Sequence, residues 1–527
     1  MGFVGELLPY QPEAVDRMTD RGKMLVAYDL GLGKTVITIA AIEQLMDEKK
    51  ITEPGLIICL SSLKYQWASS IKKFTNGSNP LVIDGTKAQR ARQYERALKW
   101  RTTGYDYIIM NYEQVVNDWE YVKKLPRGFV VLDEATAIKS FRSKRAKAVK
   151  KLATCEYRFA LTGTPIENGK PEELYSIMQF VDDSVLGRFD KFDMTFIVRN
   201  TWGGVDRYRN LPILHERMKE ASVRKAQKDP DVAPFLPETI YKEPVYVMMD
   251  RKTSKLYKRI SDDLLMDLDN AQTLFGSSFN ILAHYGFEKS WNAQADELRG
   301  QVMSKIGCLK MLTCSPQLLK TSAKKFRDGN GEGSSYADLL DQEGLLDNLP
   351  NTKLEEFISY VKDFLEQDEN NKLVVFCSYV DMVDLIADKI GRDISVTYTG
   401  QLDAKTKEKH KNDFNTNPAI RVFVSSDAGG YGVDIPAANM LINYDLPWSS
   451  GLATQRNGRI RRASSTWNTI VIQDFLTTGS IEVRQFEALQ QKNSIASAVI
   501  DGEGINDKGG VDLTIGSLRG FLLDMSV

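Results

Sequence analysis

At 527 residues the chain is too long for one compact core, and roughly two to four domains are expected. Hydrophobic residues make up 42% and charged residues 26%, the balance of a soluble globular protein. With 69 basic and 70 acidic side chains the formal charge is only -1, which excludes a globally basic nucleic-acid binder and leaves any such contact to local clusters. Five cysteines without a CxxC pair, beside three histidines, argue against a zinc site or a disulfide framework and for a reducing compartment. No basic-then-apolar leader opens the chain, and no run approaches the ~18 apolar residues that span a bilayer. The expectation is a soluble cytoplasmic protein, not secreted and with no membrane partner.

In chain order, Leu8-Pro9-Tyr10-Gln11-Pro12 opens a helix-like run with proline in its first turn. The Gln11 amide carries one donor and one acceptor group, the pair an adenine edge needs, although a surface amide reads the same way. The apolar run Met24-Leu25-Val26-Ala27-Tyr28 then reads as a buried strand, and Val36, Ile37, Ile39, Ala40, Ile42 and Leu45 as one side of a helix. Between them lies Gly31-Leu32-Gly33-Lys34-Thr35. A Gly-rich turn from strand to helix aims backbone N–H groups at one point, and the helix N-terminus adds positive potential there, so the turn suits a phosphate. Lys34 would reach the terminal phosphates and the Thr35 hydroxyl would take Mg²⁺. The full pattern begins with glycine where this chain has Tyr28, so the loop is a variant, and a chance Gly-rich turn is the alternative.

Apolar runs at 55–60, 106–110, 129–132 and 157–161 alternate with helical patterns, which argues for a parallel sheet covered on both faces. In such sheets function gathers at the carboxyl ends of strands, and four polar clusters fall there. Asp133-Glu134-Ala135-Thr136 offers one carboxylate for Mg²⁺ and another to orient or deprotonate a water, against the plainer reading of a solvated turn. Ser61-Ser62-Leu63-Lys64, Asn111-Tyr112-Glu113 and Leu161-Thr162-Gly163-Thr164-Pro165 present small polar groups that suit phosphates, or loop capping. From Lys139 to Lys151 seven basic residues occur with no acidic one, either a solvated helix face or a nucleic-acid contact.

From about 184 to 350 the βα rhythm disappears, with long helical patterns at 254–274 and 294–312 and a Gly/Ser-rich polar stretch at 328–335. A second set of strands begins near 351, at 372–377, 394–398, 420–424, 440–444 and 469–473, without a second phosphate loop. Gly400 and Ser425 stand at strand ends in this half and join the nucleic-acid candidates. Asp427-Ala-Gly-Gly-Tyr-Gly432-Val-Asp434 is a Gly-rich turn whose backbone, with Gly432 and Asp434, can approach a phosphate or ribose. In Gln455-Arg-Asn-Gly-Arg459-Ile-Arg-Arg462, Arg459 and Arg462 lie three apart, on one face of an expected helix, and a basic surface helix is the alternative.

The order of these motifs resembles the superfamily-two helicases. Leu161-Thr-Gly-Thr-Pro-Ile-Glu-Asn168 with Glu173-Leu174-Tyr175-Ser176 looks like the Swi/Snf-type branch in particular. The resemblance implies an α/β fold of two RecA-like lobes that use ATP and Mg²⁺ to move on double-stranded DNA. It divides the chain into 1–183 (ATP-binding lobe), 184–350 (helical protrusions and linker), 351–500 (second lobe) and 501–527 (tail). By position it assigns adenine to Gln11, phosphate and Mg²⁺ to Gly31, Gly33, Lys34, Thr35 and Asp133, hydrolysis to Asp133 and Glu134, and coupling to movement on DNA to Thr162 and Thr164. Gln455, Arg459 and Arg462 would act from the second lobe, the arginines as fingers on the transferring phosphoryl group. Ser61, Lys64, Asn111, Tyr112, Lys139, Gly400 and Ser425 complete the nucleic-acid set.

The sequence departs from the family at Thr136, where a histidine is usual, which puts the link between hydrolysis and DNA in question. Gly432-Val433-Asp434-Ile435-Pro436 looks more like the RNA-helicase branch and keeps RNA or a forked junction open as the track. A nucleotide-responsive clamp with little turnover is a further alternative. No chromodomain-like, bromodomain-like or zinc-binding addition is visible, so the expectation is a repair, replication or defence protein of a bacterial or phage-infected cell rather than a nuclear remodeller.

Overall fold

The computed structural model describes residues 2–199, 205–276, 293–329, 333–427, 433–501, 518–520 and 522. Gly432, most of the tail from 502 and part of the 328–335 stretch lie outside the described residues. Along the first half run β1 (Lys23–Tyr28), β2 (Gly55–Cys59), β3 (Pro80–Val82), β4 (Tyr107–Asn111), β5 (Phe129–Asp133) and β6 (Tyr157–Leu161). A small antiparallel hairpin follows, β7 (Ile197–Arg199) with β8 (Val205–Tyr208), and then β9 (Ser222–Lys225). The first sheet has the order β3-β4-β2-β5-β6-β1-β9, with every pairing parallel. Alternate residues of one strand serve opposite faces, which is why the central strands are almost wholly apolar. Leu25, Leu56 and Ile58 enter one apolar layer, while Met24, Val26 and Ile57 enter the other.

The second sheet is built the same way. Its strands are β10 (Glu238–Tyr241), β11 (Val245–Val247), β12 (Leu373–Cys377), β13 (Ser395–Tyr398), β14 (Val422–Ser426), β15 (Met440–Asn443) and β16 (Thr469–Thr477). They lie in the order β10-β16-β15-β12-β14-β13, all parallel, with β11 also on β16. Between the lobes the helices Arg251–Phe275, Ala293–Cys314 and Pro316–Arg327 share an apolar cluster that includes Leu264, Leu268, Leu309 and Leu319.

The stretch 184–350, expected to be helical, therefore also supplies β9 to the first sheet and β10 and β11 to the second. These strands are three or four residues long, at or beside sheet edges; β9 and β10 are largely polar (Ser-Val-Arg-Lys, Glu-Thr-Ile-Tyr), and β11 is only Val-Tyr-Val. They carry no apolar run to betray them.

The helix Ile481–Ile500 crosses back from the second lobe to the first. Ile481 packs with the helical cluster, whereas Ile495, Ala498 and Val499 are buried in the first lobe's core. His215 Nδ1 lies 2.9 Å from the Val499 carbonyl oxygen. The start of this helix is pinned by a buried ion pair in which Lys353 Nζ donates to both Glu482 oxygens at 2.8 Å, with side chains 4% and 0% exposed. Removing one member of such a pair strands the other charge, at about 3–5 kcal/mol. Lys353→Met is expected to lower the urea midpoint of the second lobe accordingly. Lys353→Met with Glu482→Gln, which keeps an acceptor for the Thr477 N–H, should recover most of the loss.

Candidate active site

β1 ends at Tyr28 and the helix Lys34–Asp47 begins six residues later. Gly31 and Gly33 between them have φ of +82° and +81°. Both are also crowded: a Cβ on Gly33 would sit 2.3 Å from Gln11 Nε2, and one on Gly31 would sit 2.8 Å from Arg462 Cδ. Only glycine meets both demands. Gln11 is buried, accepts the Leu8 N–H at 2.9 Å and donates to the Leu32 carbonyl at 3.1 Å, so it ties the first helix to the loop. One amide N–H and one lone pair remain for a base edge. Lys34 Nζ donates to the Tyr28 and Asp29 carbonyls at 2.8 and 3.1 Å, folded over its own loop. Burial lowers its pKa, against the pull of Glu134 and Asp133. Thr35 is half-buried in the first turn of the same helix.

Asp133 ends β5 beside this loop. Its Oδ2 accepts the Trp67 indole N–H at 2.7 Å and its Oδ1 accepts the Glu134 backbone N–H at 3.0 Å. Burial raises the Asp133 pKa, opposed by the Trp67 bond and by Lys34. Glu134 stands in the left-handed region, at φ +50° and ψ +59°, a strained place for a residue with a side chain. Its Oε2 is buried without a hydrogen-bond partner among the described residues. Burial and then the Asp133 charge push its pKa up to about 7, while Lys34 and Arg459 oppose the shift.

Among the described residues no group of three or more His, Cys, Asp or Glu gathers to hold a metal. One carboxylate and one hydroxyl, Asp133 and Thr35, are a hard-oxygen set that fits Mg²⁺, which commonly takes one or two carboxylates and completes its shell with phosphates and water.

The second lobe faces this loop. The helix Ser450–Asn457 is seated on the first lobe: the Gly451 N–H and Ser450 Oγ donate to the Glu167 carbonyl at 3.1 and 2.8 Å. It stops at Gly458, so Arg459 and Arg462 stand on the turn beyond it, not on one helix face as their spacing predicts. Both are buried nonetheless. The Arg459 charge acts on Glu134 and that of Arg462 on Lys34. Arg462 Nη2 pairs with Asp434 Oδ1 at 2.8 Å, and its Nε has no partner among the described residues. Gln455 Oε1 and Thr164 Oγ1 are buried and unpaired in the same way. Thr162 Oγ1 accepts the Thr164 N–H at 3.1 Å and shapes that loop from within.

Several nucleic-acid candidates are engaged within the protein itself. Lys64 is buried, with Nζ donating to the Ile83 carbonyl at 2.9 Å and to Asp84 at 2.8 Å. Tyr112 is buried and its hydroxyl donates to the Asp133 carbonyl at 2.8 Å, so it supports the acidic strand end from behind. Asn111 caps the helix Tyr112–Asn117, its Oδ1 accepting the Gln114 N–H at 2.8 Å. Ser425 is wholly buried and donates to the Tyr398 carbonyl at 3.1 Å. Lys139 is paired with Glu167. The basic run is partly internal as well: Arg145 pairs with Glu113, and Lys150 donates to Ser176 and Gln179, its pKa lowered by burial to about 8. Ser61 and Gly400 are exposed at the carboxyl ends of β2 and β13, and Arg142, Lys144, Lys147 and Lys151 are exposed on the basic run.

Three further contributors are not among the residues the sequence assigns to the site. Trp67 reads as one apolar residue of a helix. Arg456, within the arginine motif, is buried and bonds Asp427 at 2.6 Å and Asp445 at 3.3 Å, anchoring the start of the Gly-rich turn. Arg224, on β9, pairs with Asp29 behind the phosphate turn and with Asp501 past the crossing helix. Ion partners hundreds of residues away cannot be found by local pattern.

A phosphate turn on one parallel sheet, faced by buried arginines from a second, defines the class of two-lobed helicase-type nucleotide hydrolases. Residues 10–317 match the SNF2-related domain and residues 353–464 the helicase conserved C-terminal domain. The chain belongs to the SNF2-related family. Relatives include YwqA of Bacillus subtilis (24% identical over 518 residues, 95% of this chain and 49% of that protein). The ISWI chromatin-remodeling complex ATPase ISW1 of Saccharomyces cerevisiae is 25% identical over 509 residues (94% and 41%). The DNA repair and recombination protein RAD54-like of Gallus gallus is 26% identical over 527 residues (94% and 68%). The chain thus spans about half the length, or less, of most curated relatives it matches. Among solved structures, the Sulfolobus solfataricus SWI2/SNF2 ATPase core in complex with dsDNA covers 94% of each chain at 24% identity and a TM-score of 0.42. The Pyrococcus furiosus Hef helicase domain covers 91% of this chain and 98% of its own at 15% identity and a TM-score of 0.49. Among the described residues no helix is long and apolar enough to cross a membrane.

The raised Glu134 pKa makes a statement about stability. An acid whose folded pKa lies above its ordinary value burdens the fold when ionised: the full cost is present above about 7, and it fades as pH falls toward the ordinary 4.5. Glu134→Gln, which is neutral at every pH, is expected to melt above wild type in alkaline buffer, with the gap closing at about pH 4. Coincident melting curves for wild type and Glu134→Gln at alkaline pH would refute a burial-raised Glu134 pKa.

Proposed function

We propose that this chain is an ATP hydrolase that closes two lobes on ATP and steps along double-stranded DNA without fully parting its strands. The observation that carries the reading is that Arg462 of the second lobe packs on Gly31 of the phosphate turn, with the Arg459 charge felt at Glu134 and the Arg462 charge at Lys34. Gln11 meets the adenine edge, Gly31, Gly33 and Lys34 hold the phosphates, and Thr35 and Asp133 would hold Mg²⁺. When bound, that ion neutralises phosphate charge and fixes the geometry of the phosphates.

Glu134 orients the attacking water and takes its proton as the new P–O bond forms and the bond to the ADP oxygen breaks. A carboxylate whose pKa sits near 7 is matched to that transfer. Arg459 and Arg462 meet the charge that spreads over the phosphoryl oxygens, and Gln455 and Thr164 bring unpaired polar atoms to the lobe contact. Because the arginines belong to the second lobe, turnover and lobe closure are one event.

For the track, support comes from relatives named for chromatin remodelling and for DNA repair and recombination. The exposed Ser61 and Gly400, one on each lobe, and the exposed cations of the 139–151 run give it a surface. Bacillus and mycoplasma relatives support a bacterial cytoplasmic setting.

Duplex DNA is expected to stimulate ATP turnover more than single strands, forks or RNA of equal length, measured by phosphate release. Stronger stimulation by RNA or forks would reassign the track. Lys34→Ala, Glu134→Gln and Arg462→Ala should each lower kcat, the arginine by ~10³-fold or more. Near-normal turnover in Glu134→Gln would remove the catalytic assignment.

A further inference from the structure

Trp67 lies in the helix Lys64–Phe74, which follows the short turn Ser61–Leu63 at the end of β2. The indole is 2% exposed, in the apolar layer that also holds Ile37, Ile57 and Ile71. Its N–H crosses to Asp133 Oδ2 at 2.7 Å, a contact between residues 66 apart in sequence. The other carboxylate oxygen of Asp133 accepts the Glu134 N–H at 3.0 Å. Both oxygens are thus held by donors, and only the remaining lone pairs are open to a metal, in a fixed direction. A ligand carboxylate oriented by a hydrogen bond presents its lone pairs without first losing rotational freedom.

The same helix has a second attachment. One turn before Trp67, Lys64 is buried and anchored to the Ile83 carbonyl and to Asp84. Just ahead of Lys64, Ser61 and Ser62 are exposed. A single rigid element therefore runs from an exposed hydroxyl turn to the acidic strand end. The position where the family commonly places a histidine, and where coupling of hydrolysis to DNA is in question, holds Thr136, a buried residue.

Resting on the ATP-site reading above, we propose that Trp67 is a positioning residue: its indole N–H orients Asp133 toward the nucleotide-bound metal and relays DNA contact at Ser61 and Ser62 to the site. A bulky core residue would serve packing alone with any similar ring. The relay requires the N–H.

The test uses the full chain and its Trp67→Phe and Asp133→Asn variants. Mn²⁺ binding in the presence of ADP is read by electron paramagnetic resonance, independently of turnover, and binding of a fluorescent ADP is read in EDTA. Trp67→Phe should weaken Mn²⁺ binding about 10–100-fold, the usual effect of removing a hydrogen bond to a metal ligand. It should leave metal-free ADP binding unchanged, and at saturating Mg²⁺ the stimulation of ATP turnover by duplex DNA should fall toward onefold. Asp133→Asn abolishing Mn²⁺ binding while Trp67→Phe binds as wild type overturns the Trp67 assignment alone. Unchanged binding in both overturns the metal reading of Asp133 and this proposal with it. Weakened Mn²⁺ binding with full DNA stimulation overturns the relay.

Should Trp67→Phe not fold, the wild-type protein labelled with ¹⁵N at its seven indoles decides. One indole N–H signal must move both on Mn²⁺-free Mg²⁺·ADP addition and on Asp133→Asn substitution, and a set that stays still in both refutes the proposal.

Discussion

The architecture depends on how closely two backbones approach at the lobe boundary. The phosphate turn has no side chain at Gly31, and the aliphatic part of Arg462 and the Arg461 carbonyl occupy the space one would fill. A few residues away, Gly458 is pressed on Leu30 and Gly451 on Glu167 in the same fashion. Contacts at this range leave no room for an added methyl group, so glycine is what lets the two lobes meet this closely where the chemistry is proposed. The charge arrangement follows from that proximity. Asp133 and Glu134 are buried beside Lys34, with Arg459 and Arg462 supplied by the other lobe, so cations and carboxylates that would each be unfavourable alone compensate one another.

That compensation also accounts for the groups left over. Glu134 Oε2, Gln455 Oε1, Thr164 Oγ1 and Arg462 Nε are buried with unused hydrogen-bonding capacity, and native proteins leave few such atoms without cause. Lys34, by contrast, spends two of its three N–H donors on its own loop's carbonyls. The strained backbone of Glu134 belongs to the same pattern, a local cost held in place by a strand behind it and the Tyr112 hydroxyl beneath it.

Much of this was legible in the residues. The central strands of both sheets stand out because strands buried on two faces are continuously apolar, and the phosphate turn because glycine spacing and a following Lys-Thr have a mechanical reason. Legibility fails where position in space outranks local pattern. The edge strands 222–225 and 238–241 are short and polar, so nothing local distinguishes them from loop. Lys64, Tyr112 and Ser425 have the right chemistry at the right strand ends, yet their side chains turn inward to satisfy buried carbonyls and carboxylates. The three-residue spacing of Arg459 and Arg462 implies a shared helix face only if the helix continues, and Gly458 ends it. Trp67 and Arg224 escape for the opposite reason, since their meaning comes from partners 66 to 277 residues along the chain, and Arg456 because its motif does not tell that it turns inward onto Asp427 and Asp445.

The helix Ile481–Ile500 has a consequence for motion. It starts beside the second lobe and ends with Ile495 and Val499 inside the first lobe's core, while Asp501 just past it shares Arg224 with Asp29 of the phosphate turn. Drawing those two apolar side chains into water would cost about 1.5–3 kcal/mol each. The two sheets are therefore less like beads on a string than like leaves sharing one pin: parting them would pull that pin, the buried end of the helix, into water.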